Sequence, residues 1–364
     1  MTSTRALQMK KFGYLVFLVV PALPLAAVLL GNRFGGNSFF AWFTVFFVYS
    51  VIPLADALIG KDSSNPVHNQ DSRLAQDRWY RVIVLACVPL MVTTLAWGGY
   101  ILATWPMNWI GKLGWAISIG VVGGVLAINA AHELIHKAGK FEQFCGGFLM
   151  ALVCYAGFKV EHIRGHHVHV STPRDASSSR FDQSLYHFLP RAWFHNSRNA
   201  WRLEAERLAY RGHSAFSWRN ELVWWYLLSL TIAGAFYFFF GIAGVVFFLV
   251  QSFAAVTFLE IVNYLEHYGL ERRRLENGRY ERTTHLHSWN SNYLLTNLLL
   301  FQLQRHSDHH ENPRRDYQLL RHYDDSPQLP AGYATMMLLT MVPPLWRRVM
   351  NPRVQAFYAN RAQA

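Results

Sequence analysis

Cysteine is nearly missing from this 364-residue chain. The three present, Cys87, Cys145 and Cys154, lie within or beside apolar stretches, and no two stand as Cys-x-x-Cys. A disulfide framework and a thiolate metal site are both excluded, in keeping with a reducing cytoplasmic face. Charge is scarce as well. Charged residues make up 15% of the chain against 52% hydrophobic ones, which argues against two soluble domains and for one integral membrane domain. The formal net charge is +12, yet Lys and Arg are scattered between apolar segments rather than gathered in one stripe. Membrane topology explains them better than nucleic acid does, and an acidic soluble partner is a second explanation. Internal repeats and low-complexity segments are lacking too.

Long apolar stretches are what the chain does have. A bilayer-crossing helix needs roughly 20 predominantly apolar residues, and six stretches approach that, at about 13–31, 38–60, 82–104, 113–131, 222–240 and 242–262. The fold class expected is an all-α integral membrane protein. It is a six-transmembrane-helix bundle with a cytoplasmic helical and loop cap at 132–220 and 263–364, forming one domain over 1–364. Arg5, Lys10 and Lys11 precede the first stretch, and no small-residue cleavage site follows it, so it reads as an uncleaved span. Alternate connectors are basic, which places the N-terminus in the cytoplasm. The apolar run at 145–158 is too short to cross and reads as interfacial or re-entrant. Residues 61–76 read as a loop with Asn65-Pro66 as its turn. Residues 332–346 read as a surface-lying segment in which Pro343-Pro344 breaks any spanning helix.

Three histidine clusters stand in the polar segments: His132 with His136, His162 with His166 and His167, and His306 with His309 and His310. An even number of spans puts them all on one side, together with His267 beside Glu266 at the end of the sixth stretch. Helix positions i and i+4 share a face, so His132 and His136 can serve one metal and His162 with His166 another. His167 is turned toward a neighbouring ion, and His306, His309 and His310 share a face. Nine imidazoles are too many for one ion and comfortable for two, but imidazole alone leaves the metal open among Zn, Cu, Fe and Ni. His132-Glu133-Leu134-Ile135-His136 also has the look of a zinc-protease helix, although two further clusters compete for the metal. Metal transit sites lie near the bilayer midplane, whereas these lie at helix ends.

Carboxylates are interleaved with the clusters. Glu133, Glu161, Asp175, Glu266 and Asp308 are candidates to accept the outward N–H of a ligating histidine and so fix its tautomer. Asp56 stands out as an acid in the second stretch, where an intramembrane charge is expensive and usually functional, so it is the one flagged for a substrate channel. His285 and His287 fall outside the ligand spacings. Arg164 and Arg305 flank the clusters, and the arginine-rich stretches 198–211, 272–274 and 314–321 are basic enough to receive an acidic partner.

The sequence is similar to that of the membrane-bound alkane 1-monooxygenases, within the wider histidine-rich di-iron family that includes desaturases and xylene monooxygenase. The resemblance is carried by the three clusters, by the stretch from Asn263 to Leu270, by Ser288-Trp289-Asn290-Ser291-Asn292 and by Pro343-Pro344-Leu345-Trp346. It implies a non-haem di-iron site of nine histidines, O₂ as co-substrate, and hydroxylation of the terminal methyl of medium- or long-chain alkanes. Electrons are then expected from a separate rubredoxin and its NAD(P)H-dependent reductase, in a bacterial inner membrane with both termini cytoplasmic. A fatty-acyl or alkyl-aromatic hydroxylase or a desaturase is the alternative within that chemistry. The chain departs from the family pattern at Asp175-Ala176-Ser177 and Asp182-Gln183-Ser184. Because a terminal C–H bond is strong, selectivity is expected from a channel lined by spans 1 to 4 and 6.

Overall fold

The computed structural model describes residues 4–66 and 71–363, with side chains from Met9 to Arg361. Arg5 therefore lies outside the described side chains, and residues 67–70 of the expected loop lie outside the description altogether. Among the described residues the fold is helical, with only isolated β-bridges.

Four helices are long and apolar enough to cross a membrane: α1 (Met9–Phe34), α3 (Asp71–Thr104), α4 (Trp109–Ile135) and α8 (Glu221–His267), while α2 (Phe43–Ile59) is shorter. The 47 residues of α8 are two helical arms, because Gly241 (φ 63°, ψ −157°) breaks the helical backbone between them. Only glycine takes that conformation cheaply. The arms fold back on each other, with Phe236 ring against Phe247 and Phe248 at 5.8 and 5.4 Å. Large apolar side chains point outward along these helices, among them Leu29, Phe46, Leu58, Leu230, Phe238 and Ile242. So much exposed apolar surface fits lipid and not water, and the protein is a membrane protein.

The central helix is α4, where Trp115, Ile119, Val122 and Leu126 are fully enclosed. Neighbours approach its glycines closely: a Cβ on Gly120 would fall 2.7 Å from the Gln251 carbonyl of α8, and one on Gly114 would meet the Trp42 indole. The helix starts are set by polar caps. Asn108 accepts from Gly111 N at 2.9 Å, Asp77 from Trp79 N at 3.0 Å, and Asn220 from Leu222 N at 2.8 Å, each satisfying an otherwise orphaned amide.

The run at 145–158 is packed inside the protein. It belongs to α5 (Lys140–Ala151) and the turn after it, with Leu149, Met150 and Val153 buried. Next come α6 (158–169), α7 (Leu185–Ala209), α9 (Leu294–Leu299), α10 (His306–Glu311), α11 (Tyr333–Thr340) and α12 (Pro343–Gln363).

Three expectations change here. Residues 71–76 form the short first helical segment of α3, joined to its long segment Arg78–Thr104 at the Asp77 cap, rather than forming a loop. Within 332–346, α11 is a core helix through Tyr333, Met336 and Met337. Pro343-Pro344 follows the expected break, since α11 ends at Thr340, but it also begins α12, because a first-turn proline has no intrahelical N–H to lose. Trp346 behind it is fully buried.

Candidate metal centre

The C-terminal ends of α4 and of the second arm of α8 meet α6 and α10 at one end of the bundle, where all nine histidines come together. They form two groups: His132, His136, His162, His167 and His309 in one, and His166, His267, His306 and His310 in the other, with the potential ligand atoms of each group within 4.8 Å of one another. In the first, Nε2 of His162 lies 3.1 Å from those of His136 and His167, and His309 Nε2 lies 3.1 Å from His167. In the second, His310 Nε2 is 2.9 Å from His306 and 3.1 Å from His166, and His306 Nε2 is 3.3 Å from His267.

This sorting keeps His132 with His136 as expected and corrects the i, i+4 pairing of His162 with His166. Residues 162–166 form a π-helical turn, wider than the α turn, so His162 meets His167 five residues on, and His166 faces the other group. His306, His309 and His310 do not share one group either. His309 joins the first and the other two the second.

Imidazole nitrogens converging on one point fit a cation. Two ligands at about 2.1 Å on adjacent corners of an octahedron are ~3.0 Å apart, close to the separations above. His132 Nε2 is buried without a hydrogen-bond partner, a costly state that a metal bond removes. Burial, reinforced by the neighbouring imidazoles, holds His136, His162, His167, His306, His309 and His310 well below the usual histidine range, and so in the neutral, ligating form. His166 differs: burial lowers it, but Asp175 outweighs that and raises it.

The five flanking acids have different partners. Asp175 Oδ2 faces His166 Nδ1 at 2.9 Å and is held by Ser178 Oγ at 2.6 Å, the arrangement expected of a tautomer-fixing carboxylate. Glu266 Oε2 lies 3.1 Å from His306 Nε2, on the inward side, while Tyr333 donates to its other oxygen at 2.6 Å. Glu161 accepts from Asn199 at 3.1 Å, and burial with Asp175 nearby pushes its carboxyl up to about 8. Glu133 pairs with Lys137 and accepts from Tyr317 N. Asp308 is a structural hub that accepts from Arg315, Asn312, Tyr323 and the Arg321 amide. No side-chain hydrogen bond links Glu133, Glu161 or Asp308 to a clustered histidine among the described residues.

A cavity of about 130 Å³ opens beside His132, His162 and His306. Its walls are apolar, from Val20 of α1, Val48 and Tyr49 of α2, Gly124, Val125 and Ile128 of α4, Phe258 and Val262 of α8, and Met337 of α11. The π turns at 47–51 and 124–129 fall on this wall. Span 3 contributes nothing to it, contrary to expectation. Asp56 does not line it either. Its carboxylate accepts from Thr296 N at 3.1 Å and Thr296 Oγ1 at 2.7 Å, fastening the start of α9.

A family model described as fatty acid desaturase matches residues 107–340. Alkane 1-monooxygenase 2 of Pseudomonas aeruginosa is 55% identical over 365 residues, covering 99% of this chain and 96% of that protein. The chain belongs to the alkane 1-monooxygenase family. Alkane 1-monooxygenase 2 of Alcanivorax borkumensis is 54% identical, over 97% of this chain and 93% of that protein. Alkane 1-monooxygenase of Pseudomonas putida is 38% identical, over 95% and 85%.

Parts of this alkane-monooxygenase site were not read from the sequence. Glu260, in the sixth apolar stretch, is fully buried and accepts from Tyr155 OH at 2.6 Å, Asn263 at 3.1 Å and Asn196 at 3.2 Å. An acid within an apolar run was the available signal, the same one that singled out Asp56. Tyr333 gave no such signal. Arg305 was visible only as a cation flanking a cluster; it is 1% exposed and ties three carbonyls, of Leu320, Asp62 and Ser64. The Asn290 side chain accepts from Ser307 N at 2.8 Å, and Trp289 N donates to the Glu266 carbonyl at 2.7 Å.

Proposed function

We propose that this protein is a rubredoxin-dependent di-iron monooxygenase that converts alkanes to 1-alkanols. The observation that carries the reading is the apolar cavity ending on the nine-histidine centre. Near full-length similarity to proteins named alkane 1-monooxygenase supports it. Two irons bound by His132, His136, His162, His167 and His309 and by His166, His267, His306 and His310 would supply the O₂ activation.

The chain's own residues then have definite tasks. Asp175 holds His166 so that Nε2 faces the metal. Glu266, anchored by Tyr333, sets a carboxyl oxygen beside His306 on the inward side of the centre. Valine, leucine and phenylalanine walls keep water out and orient an extended chain so that only its end meets the metals. Access through this cavity thus selects a terminal methyl that bond strength alone does not favour.

In this reading α1 to α4 and the two arms of α8 are six spans. The cytoplasmic cap at 132–220 and 263–364 closes over the metals in the inner membrane, and the whole chain is one domain. The basic connectors support that orientation.

Purified protein reconstituted with iron, rubredoxin and reductase, and fed octane, hexadecane, xylene and a fatty acid, tests the reading. 1-Alkanol from the alkanes is expected. An alkene product, or turnover of xylene or fatty acid alone, would overturn it.

A further inference from the structure

The reaction RH + O₂ + 2e⁻ + 2H⁺ → ROH + H₂O needs two electrons from outside, and the chain has no paired cysteines to store them. We infer that the concavity formed by Arg174, Arg180, Arg191, Arg198 and Arg202 around Asp175 is the docking surface for an acidic one-electron carrier protein. The inference rests on the monooxygenase reading above.

This concavity has a volume of about 390 Å³. Five arginines against one aspartate give its lining a net charge of four positive units, with His195 beside them. Arg191, His195, Arg198 and Arg202 follow one face of α7, while Arg174 and Arg180 come from the loop before it. Arg191 frames the loop by donating to the carbonyls of Ala176 at 3.2 Å and Ser178 at 2.7 Å. Arg174, Arg180 and Arg198 are exposed, and among the described residues no ion pair involves them. In the other basic stretches Arg315 pairs with Asp308, Arg321 with Asp71, and Arg273 with Glu281, and within the concavity Arg202 pairs with Glu206 at 3.0 Å. Three exposed guanidinium groups, of Arg174, Arg180 and Arg198, thus share one concavity, where they can steer an acidic partner.

The floor of the concavity gives the site its purpose. Asp175 is buried there, 2.9 Å from His166 Nδ1, and His166 Nε2 belongs to the four-histidine group. One hydrogen bond and one imidazole separate the surface from the metal position. A phosphate headgroup seated in the same place would meet the Asp175 carboxylate on the floor, whereas a protein needs only the arginine rim. Each encounter moves one electron: the carrier is oxidised by one and the metal centre reduced by one, and two encounters complete a turnover.

The test uses the full-length protein in phosphatidylcholine nanodiscs, with reduced rubredoxin as the probe and binding read by interferometry over a salt series. The triple variant R174E/R180E/R198E is expected to bind rubredoxin at least about tenfold more weakly than wild type at low salt, with a flatter salt dependence. Its iron content should be unchanged. R314E, which alters an exposed arginine outside the concavity, should bind like wild type. Unchanged affinity in the triple variant overturns the inference, as does an equal loss in R314E. So does a loss confined to stabilisation by added phosphatidylglycerol, which would make this a lipid site. Absence of 1-alkanol with every reductant would instead count against the monooxygenase reading, leaving the binding result separately readable.

Discussion

His162 and His167, five residues apart, bring their Nε2 atoms to 3.1 Å across a π-helical turn. The wider turn decides which histidines act together. With one iron per group, H162A and H167A should perturb the same iron and H166A the other. Mössbauer spectra of ⁵⁷Fe-loaded variants are expected to show the first two losing or altering one quadrupole doublet, with the third altering its companion. Matching spectra for H162A and H166A would restore the simple α-helical pairing.

Asp175 fixes the outward nitrogen of His166. D175N keeps the shape but loses the charge, and loss of such a partner weakens metal affinity about 10–100-fold. Metal retention under competing chelator should fall by that factor while the helical circular dichroism is unchanged. D308N, whose parent carboxylate holds Arg315 and no histidine, should lower thermal stability with far less effect on metal retention.

Gly124 lines the cavity, and a Cβ placed on it meets no atom within 4 Å. G124L should therefore project into the hydrocarbon space. The longest alkane hydroxylated is expected to shorten, with rates on long chains down about tenfold or more and iron content unchanged. The measurement is product yield across a C6 to C16 series. A uniform loss at every length would remove Gly124 from the selectivity wall.

The metal-free protein should be acid-labile. Six of the histidines sit well below their ordinary 6.5, so the unfolded chain binds protons there while the folded one does not. Stability is fully present above pH 6.5 and is lost as pH falls below it, by at most about 1.4 kcal/mol per histidine per pH unit. His166, raised by Asp175, acts in the opposite sense and offsets one share. Melting temperature of the chelated protein between pH 8 and 5 reads this directly, and a flat profile would contradict it.

Much of the site was legible because its ligands repeat at short spacing in polar segments that punctuate apolar runs. Even His267, alone in sequence, was singled out beside Glu266 at the end of an apolar stretch, and it lies in the second group. The pairing of His132 with His136 was legible from their spacing, but that of His162 with His167 was not, because it depends on the π turn at 162–166, which has no periodic signature. Asp56 and Glu260 show the same limit from the other side. Both are acids in apolar helices, but the partners that explain them, Thr296 for one and Tyr155, Asn196 and Asn263 for the other, are brought close only by folding. Pro343-Pro344 was read as an interruption because proline starts a helix as readily as it ends one, and burial of Trp346 behind it is a tertiary fact.

The most direct test of the central claim is ¹⁸O₂ labelling of octane turnover on a sample of known iron content. The account predicts two irons per chain and 1-octanol carrying one ¹⁸O atom per molecule. Oxygen derived from water, or full activity with fewer than two irons per active chain, would contradict it.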